Sequence, residues 1–111
     1  FRRVLFRSNI MADTPEKKVK RKVMAQLKEM KAYTVTPMTG GFGNSGVPDV
    51  LCCYKGRFVG VECKANGGKP TALQIHNLNS IEIAGGIALL VNESNVDNLT
   101  DMIEERINGT A

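Results

Sequence analysis

Two apolar runs, Val50 to Tyr54 and Arg57 to Val61, are separated only by Lys55-Gly56. A two-residue link ending in glycine is a hairpin turn, because the tight primed turns need positive φ at their centre. That turn fixes the register. Tyr54 faces Arg57, Cys53 faces Phe58, Cys52 faces Val59, Leu51 faces Gly60 and Val50 faces Val61. One step further, Asp49 faces Glu62. Residues two apart on a strand share a face, so Lys64 joins the two carboxylates and Cys63 points the other way. Like charges placed opposite each other destabilise a sheet. A divalent cation offsets that repulsion, and hard cations such as Mg²⁺ favour carboxylate oxygens, with water and substrate phosphate completing the shell. The other reading is a surface hairpin in a slipped register that separates these charges.

Both faces of this hairpin are apolar, with Leu51, Cys53 and Phe58 on one and Val50, Cys52, Val59 and Val61 on the other. Such a hairpin needs cover on both sides. A first helix starts at Asp13-Thr14-Pro15-Glu16, where Asp or Thr can cap and Pro suits the first turn. Val19, Val23, Leu27 and Met30 continue it at helical spacing. Glu16 falls on that inward stripe and can approach the sheet, or it is a capping-box partner of Asp13. Tyr33 to Pro37 reads as a strand. Met38 to Val47 is a glycine-rich loop containing a formal G-x-G-x-x-G at Gly41, Gly43 and Gly46. It is not a dinucleotide fingerprint, because it leads through Pro48 into another strand and not into a helix. It is either a loop over the site that brings backbone close to a nucleic-acid strand or an ordinary connection. Thr71 to Ala84 and Asn95 to Ile107 have helical periodicity, and Ile87 to Val91 is a short buried strand. The expected order is helix, three strands, helix, strand, helix: an α/β sandwich around a mixed sheet. Gln74 shares a stripe with Leu78 and Ile81, so its amide faces the sheet, although Thr71-x-x-Gln74 is also a capping box.

A chain of 111 residues with 42% apolar content has room for one modest core. No apolar run approaches the roughly 18 residues of a membrane span, and the start lacks the apolar core of a secretory signal. A soluble, cytoplasmic chain is expected. The three cysteines, two of them adjacent, offer no disulfide framework or zinc spacing and read as free thiols. The first ten residues have no amphipathic logic, precede an internal Met11, and include Leu5-Phe6-Arg7-Ser8, which resembles a translated sequencing-adapter end. Residues 1–10 are therefore expected to be a non-native or disordered extension and 11–111 a single domain; a basic arm touching phosphate is the alternative. The formal charge of +4 includes Arg2, Arg3 and Arg7, so without them it is +1. Net charge is thus a poor guide to partners. Distribution is a better one: Lys17, Lys18, Lys20, Arg21, Lys22, Lys28 and Lys31 cluster in one segment, as a phosphate-tracking face or simply a solvated one. His76, with no acidic or cysteine partner in view, reads as a surface residue.

Gly46-Val47-Pro48-Asp49, then Val61-Glu62-Cys63-Lys64, then Pro70-Thr71-Ala72-Leu73-Gln74 resemble the signature of the PD-(D/E)xK nucleases, and within them the virus-type replication-repair nuclease (VRR-NUC) domain. An acidic residue in the first helix, here Glu16, fits the same pattern, and the resemblance spans Glu16 to about Val91. It implies a restriction-endonuclease-like α-β-β-β-α-β core with a mixed sheet flanked by helices, plus a C-terminal helix. It also implies metal-dependent phosphodiester hydrolysis with one or two Mg²⁺ or Mn²⁺ ions. Asp49, Glu62, Glu16 and the main-chain carbonyl of Cys63 would then be ligands, and Asp49, Glu62, Lys64 and Gln74 the catalytic set. Lys64 would act as an electrostatic stabiliser or as a base. Lys17, Lys20, Arg21, Gly43, Asn44, Ser45 and Lys69 would contact nucleic acid. Stand-alone members resemble this chain in size and act as dimeric nucleases on branched DNA such as Holliday junctions or flaps. A homodimer is therefore expected, and a phage origin would place it in a bacterial host's cytoplasm. The competing readings are a non-catalytic nucleic-acid-binding module and a sequence-specific restriction-type enzyme, the latter needing base-reading elements the chain has little room for.

Overall fold

A computed structural model describes residues 13–38 and 45–109. Its elements run α1 (Pro15–Glu29), β1 (Tyr33–Val35), β2 (Val50–Tyr54), β3 (Arg57–Cys63), α2 (Ala72–Ile83), β4 (Ile87–Val91), a 3₁₀ turn (Val96–Asn98) and α3 (Leu99–Gly109). The expected fold class is the one observed. Among the described residues the strands form one sheet in the order β1-β2-β3-β4. The first two pairings are antiparallel and β3-β4 is parallel.

The hairpin register is the one the turn dictates, from Tyr54↔Arg57 to Val50↔Val61. Lys55 and Gly56 both take positive φ, 50° and 78°, as a primed turn requires. β1 stops at Val35 instead of reaching Pro37, consistent with a proline that has no N–H for a ladder.

Thr14 is the residue that caps α1, its hydroxyl accepting from Lys17 N–H at 3.2 Å. Val19, Val23 and Leu27 are the buried stripe of α1, as their spacing requires. They meet Val50, Cys52, Val59, Val61, Ile87, Leu89 and Val91 on one face of the sheet. Each fully buried Val or Leu contributes roughly 1.5–3 kcal/mol, so this layer dominates stability. The last expected helix is divided: Val96–Asn98 is 3₁₀ and the α-helix begins at Leu99. Gln26 of α1 pins that junction, donating to the Val96 carbonyl at 2.6 Å and accepting from Thr100 N–H at 3.2 Å. Val96, Leu99 and Ile103 are all buried in this core. The apolar stripe of the C-terminal helix therefore covers its own sheet.

The opposite face is covered by α2, which contacts β3 and β4 yet has no fully buried residue. Two glycines allow its approach. A Cβ on Gly60 would lie 2.6 Å from Ile81 Cδ1, and one on Gly86 would lie 2.9 Å from Ile81 Cγ2. The helix ends in a Schellman motif, with Gly85 N–H on the Glu82 carbonyl and Gly86 N–H on the Ile81 carbonyl. Among the described residues no helix covers this face over β1, β2 and the start of β3, where Tyr33, Val35 and Phe58 are exposed. No helix among the described residues is long and apolar enough to cross a membrane.

Candidate active site

Asp49 occupies the bend just before β2, one step beyond the last ladder pair. Its Oδ2 accepts a 2.8 Å hydrogen bond from Cys63 N–H, which draws the carboxylate across the mouth of the hairpin. In a strand the N–H and C=O of one residue lie on the same edge, so the Cys63 carbonyl is on the Asp49 side too. The Cys63 side chain points into the core and is 0% exposed. Burial pushes its thiol up to about 12, so it contributes packing and main-chain atoms, not a thiolate.

Glu62 is the one buried charged residue among those described, at 2% exposure. Lys64 Nζ lies 3.6 Å from its Oε2, with the lysine side chain only 14% exposed. Burial, and then the nearby Asp49 charge, raise the Glu62 carboxyl from 4.5 to about 7, with Lys64 pulling the other way. The three residues that alternation places on one face are thus gathered at one point, with one cation beside two crowded carboxylates.

An open cleft of about 530 Å³ runs past this point. Glu16, Lys17 and Lys20 of α1 form one side, and Asp49, Cys63 and Asn66 the other. Glu16 is exposed, which corrects the expectation that it faces inward. It belongs to the first turn of α1, one turn before the first buried residue, Val19. Among the described residues no three His, Cys, Asp or Glu side chains lie close enough together to hold a metal ion. The candidate donor set is therefore the Asp49 and Glu62 carboxylates with the Cys63 carbonyl. All are hard oxygen donors, the type Mg²⁺ and Mn²⁺ prefer, and a cation there would relieve the repulsion that raises Glu62.

Other expected site residues fare differently. Gln74 is corrected: its amide oxygen accepts from Thr71 N–H at 2.9 Å while its own N–H donates to the Thr71 hydroxyl at 3.1 Å, so the side chain closes a capping box. The Arg21 guanidinium forms a two-pronged pair with Asp13 on the exposed side of α1. Lys17 and Lys20 flank the cleft, whereas Lys69 is exposed on the approach to α2. Ser45 is exposed, its hydroxyl accepting from Val47 N–H at 3.3 Å. Gly43, Asn44 and residues 1–10 lie outside the described residues. His76 is exposed, as expected of a surface residue.

Sequence reasoning missed Asn66 and Asn77. Asn66, with φ 52°, starts the turn after β3 and donates its N–H to Glu93 at 2.9 Å. The Asn66-Gly67-Gly68 run was the available signal, since Asn and Gly tolerate positive φ. Asn77 reaches from α2 to the Ser45 carbonyl at 3.1 Å. Nothing in local sequence marks a helix asparagine for that contact.

No family model and no curated protein matches this sequence. A solved structure described as "VRR_NUC domain" is similar over 80% of this chain and 97% of its own, with TM-score 0.66 and 21% identity. At that identity the likeness shows the fold, and chemistry has to be argued from the site.

Proposed function

We propose that this VRR-NUC-like fold carries a divalent-metal-dependent nuclease that hydrolyses phosphodiester bonds in DNA. The juxtaposition of Asp49, Glu62 and Lys64 supports it most strongly: two carboxylates held against their mutual repulsion, with an ammonium 3.6 Å from one of them. A binding module has no evident need for paired carboxylates facing a polyanion.

Asp49, Glu62 and the Cys63 carbonyl would hold Mg²⁺ or Mn²⁺. When bound, the ion polarises a phosphate oxygen and lowers the pKa of an attacking water. The chain's own residues supply the positioning. The Cys63 N–H fixes Asp49 Oδ2 at the mouth of the hairpin. Lys64, 3.6 Å from Glu62, would stabilise the charge that builds on the phosphate as the new P–O bond forms. Between base and electrostatic partner, the Glu62 contact favours the second role. Lys17 and Lys20 border the cleft where a phosphate backbone would lie.

The substrate we favour is branched DNA, a Holliday junction or flap, met by a homodimer, since one small domain offers a limited footprint. The open apolar face at Tyr33, Val35 and Phe58 is compatible with a second subunit. Labelled junction, flap, single-stranded and linear duplex DNA compared at equal concentration, with light scattering on the same sample, tests both claims. Preferential cutting of branched DNA by a dimer is expected. Equal cutting of linear duplex, or a monomer at micromolar concentration, would refute the corresponding claim.

A further inference from the structure

Asp49 lies outside the β2-β3 ladder, so the strands alone do not place its carboxylate. Its position depends on the segment that delivers it, Ser45 to Pro48, and that segment is fastened to α2. Asn77 Nδ2 donates to the Ser45 carbonyl at 3.1 Å and to the Leu73 carbonyl of its own helix at 2.9 Å. Both amide hydrogens are thereby used, one on each side of the junction. Gly46 takes φ 74° directly beneath this contact. A Cβ there would lie 2.7 Å from both the Leu73 Cγ and the Leu73 carbonyl oxygen, and 2.8 Å from Asn77 Nδ2. Backbone and helix therefore meet at a distance only glycine permits. Pro48 continues the contact, buried and close enough that a Cβ on Gly60 would lie 3.3 Å from its Cγ.

We infer that Asn77 is a positioning residue for the candidate metal site, acting through Ser45 to Pro48 to hold the Asp49 carboxylate on Cys63 N–H. The inference rests on reading Asp49 as a metal ligand. Its first consequence, the Asp49–Cys63 contact, needs no metal and no activity. Asparagine is required because a carboxylate or alkyl group of similar shape has no hydrogen to give the Ser45 carbonyl.

Amide hydrogen exchange by NMR on the metal-free full chain tests this, comparing wild type with Asn77→Asp and the uncharged Asn77→Leu. Lys64 N–H is the internal control, bonded to the Val91 carbonyl at 2.9 Å at the same strand end. Exchange at Cys63 is expected to quicken about tenfold in both variants while Lys64 is unchanged. In parallel, calorimetric titration with Mn²⁺ should show the dissociation constant rising about tenfold, the usual effect of removing a group that orients a ligand. Unchanged protection at Cys63, or equal loss at Cys63 and Lys64, would overturn the role. If wild type neither binds Mn²⁺ nor cleaves DNA, the proposed function fails, and the Cys63 to Lys64 comparison still decides what Asn77 does.

Discussion

The Asp49 carboxylate accepts a 2.8 Å hydrogen bond from the Cys63 main-chain N–H across the open end of the hairpin. The carboxylate we propose as a ligand is thus held by backbone, while the thiol of the same cysteine is sealed in the core. The arrangement separates what Asp49 does for folding from what it would do for a metal.

Asp49→Asn keeps an oxygen that can accept from Cys63 N–H and loses the charge. It is expected to fold normally and to lose about 10²–10³-fold or more in metal-dependent cleavage. Circular dichroism melting beside a cleavage assay checks this, and wild-type cleavage by the folded variant would contradict it.

Glu62 should make stability fall with rising pH. Its carboxyl is raised from 4.5 to about 7 in the folded protein, so the folded state binds a proton more tightly than the unfolded one. The associated stability is fully present below about pH 4.5 and is lost as pH rises through about 7. In EDTA, Glu62→Gln should remove that slope and be about 2–3 kcal/mol more stable than wild type at pH 8. Added Mn²⁺ should stabilise wild type and not the variant. Parallel pH profiles for the two proteins would count against the burial and charge crowding described for Glu62.

The free thiols should divide by depth. Cys53 is exposed, whereas Cys52 and Cys63 are buried and burial pushes them up to about 11 and about 12. A chromogenic disulfide reagent should label one thiol quickly in native protein and the other two only after denaturation. Rapid native labelling of all three would contradict the core.

Gly60→Ala tests how closely α2 lies over the sheet. The new Cβ would meet Ile81 Cδ1 at 2.6 Å and Pro48 Cγ at 3.3 Å. A loss of about 1–3 kcal/mol in denaturant melts is expected. No measurable loss would mean that α2 yields without cost.

Much of this site was legible because it follows from one turn. Lys55-Gly56 fixes the register, and the register carries Asp49, Glu62 and Lys64 to one face. β4 and the buried stripe of α1 were equally readable, since periodicity depends only on neighbours in sequence. Glu16 was misplaced because periodicity gives a direction around a helix and not where the helix overhangs its sheet. Gln74 had two open roles, and the local capping box is the one its amide fills. Arg21 satisfied Asp13 eight residues away, which a count of basic residues does not reveal. Asn77 depends on a contact 32 residues distant, beyond the reach of any local pattern.

The most direct measurement is cleavage of a labelled Holliday junction by the full chain in Mg²⁺, with EDTA and Lys64→Ala alongside. The expected result is cutting that requires metal and is absent from a folded Lys64→Ala. Binding without cutting in every metal condition, or undiminished cutting by Lys64→Ala, would contradict a nuclease built on Asp49, Glu62 and Lys64.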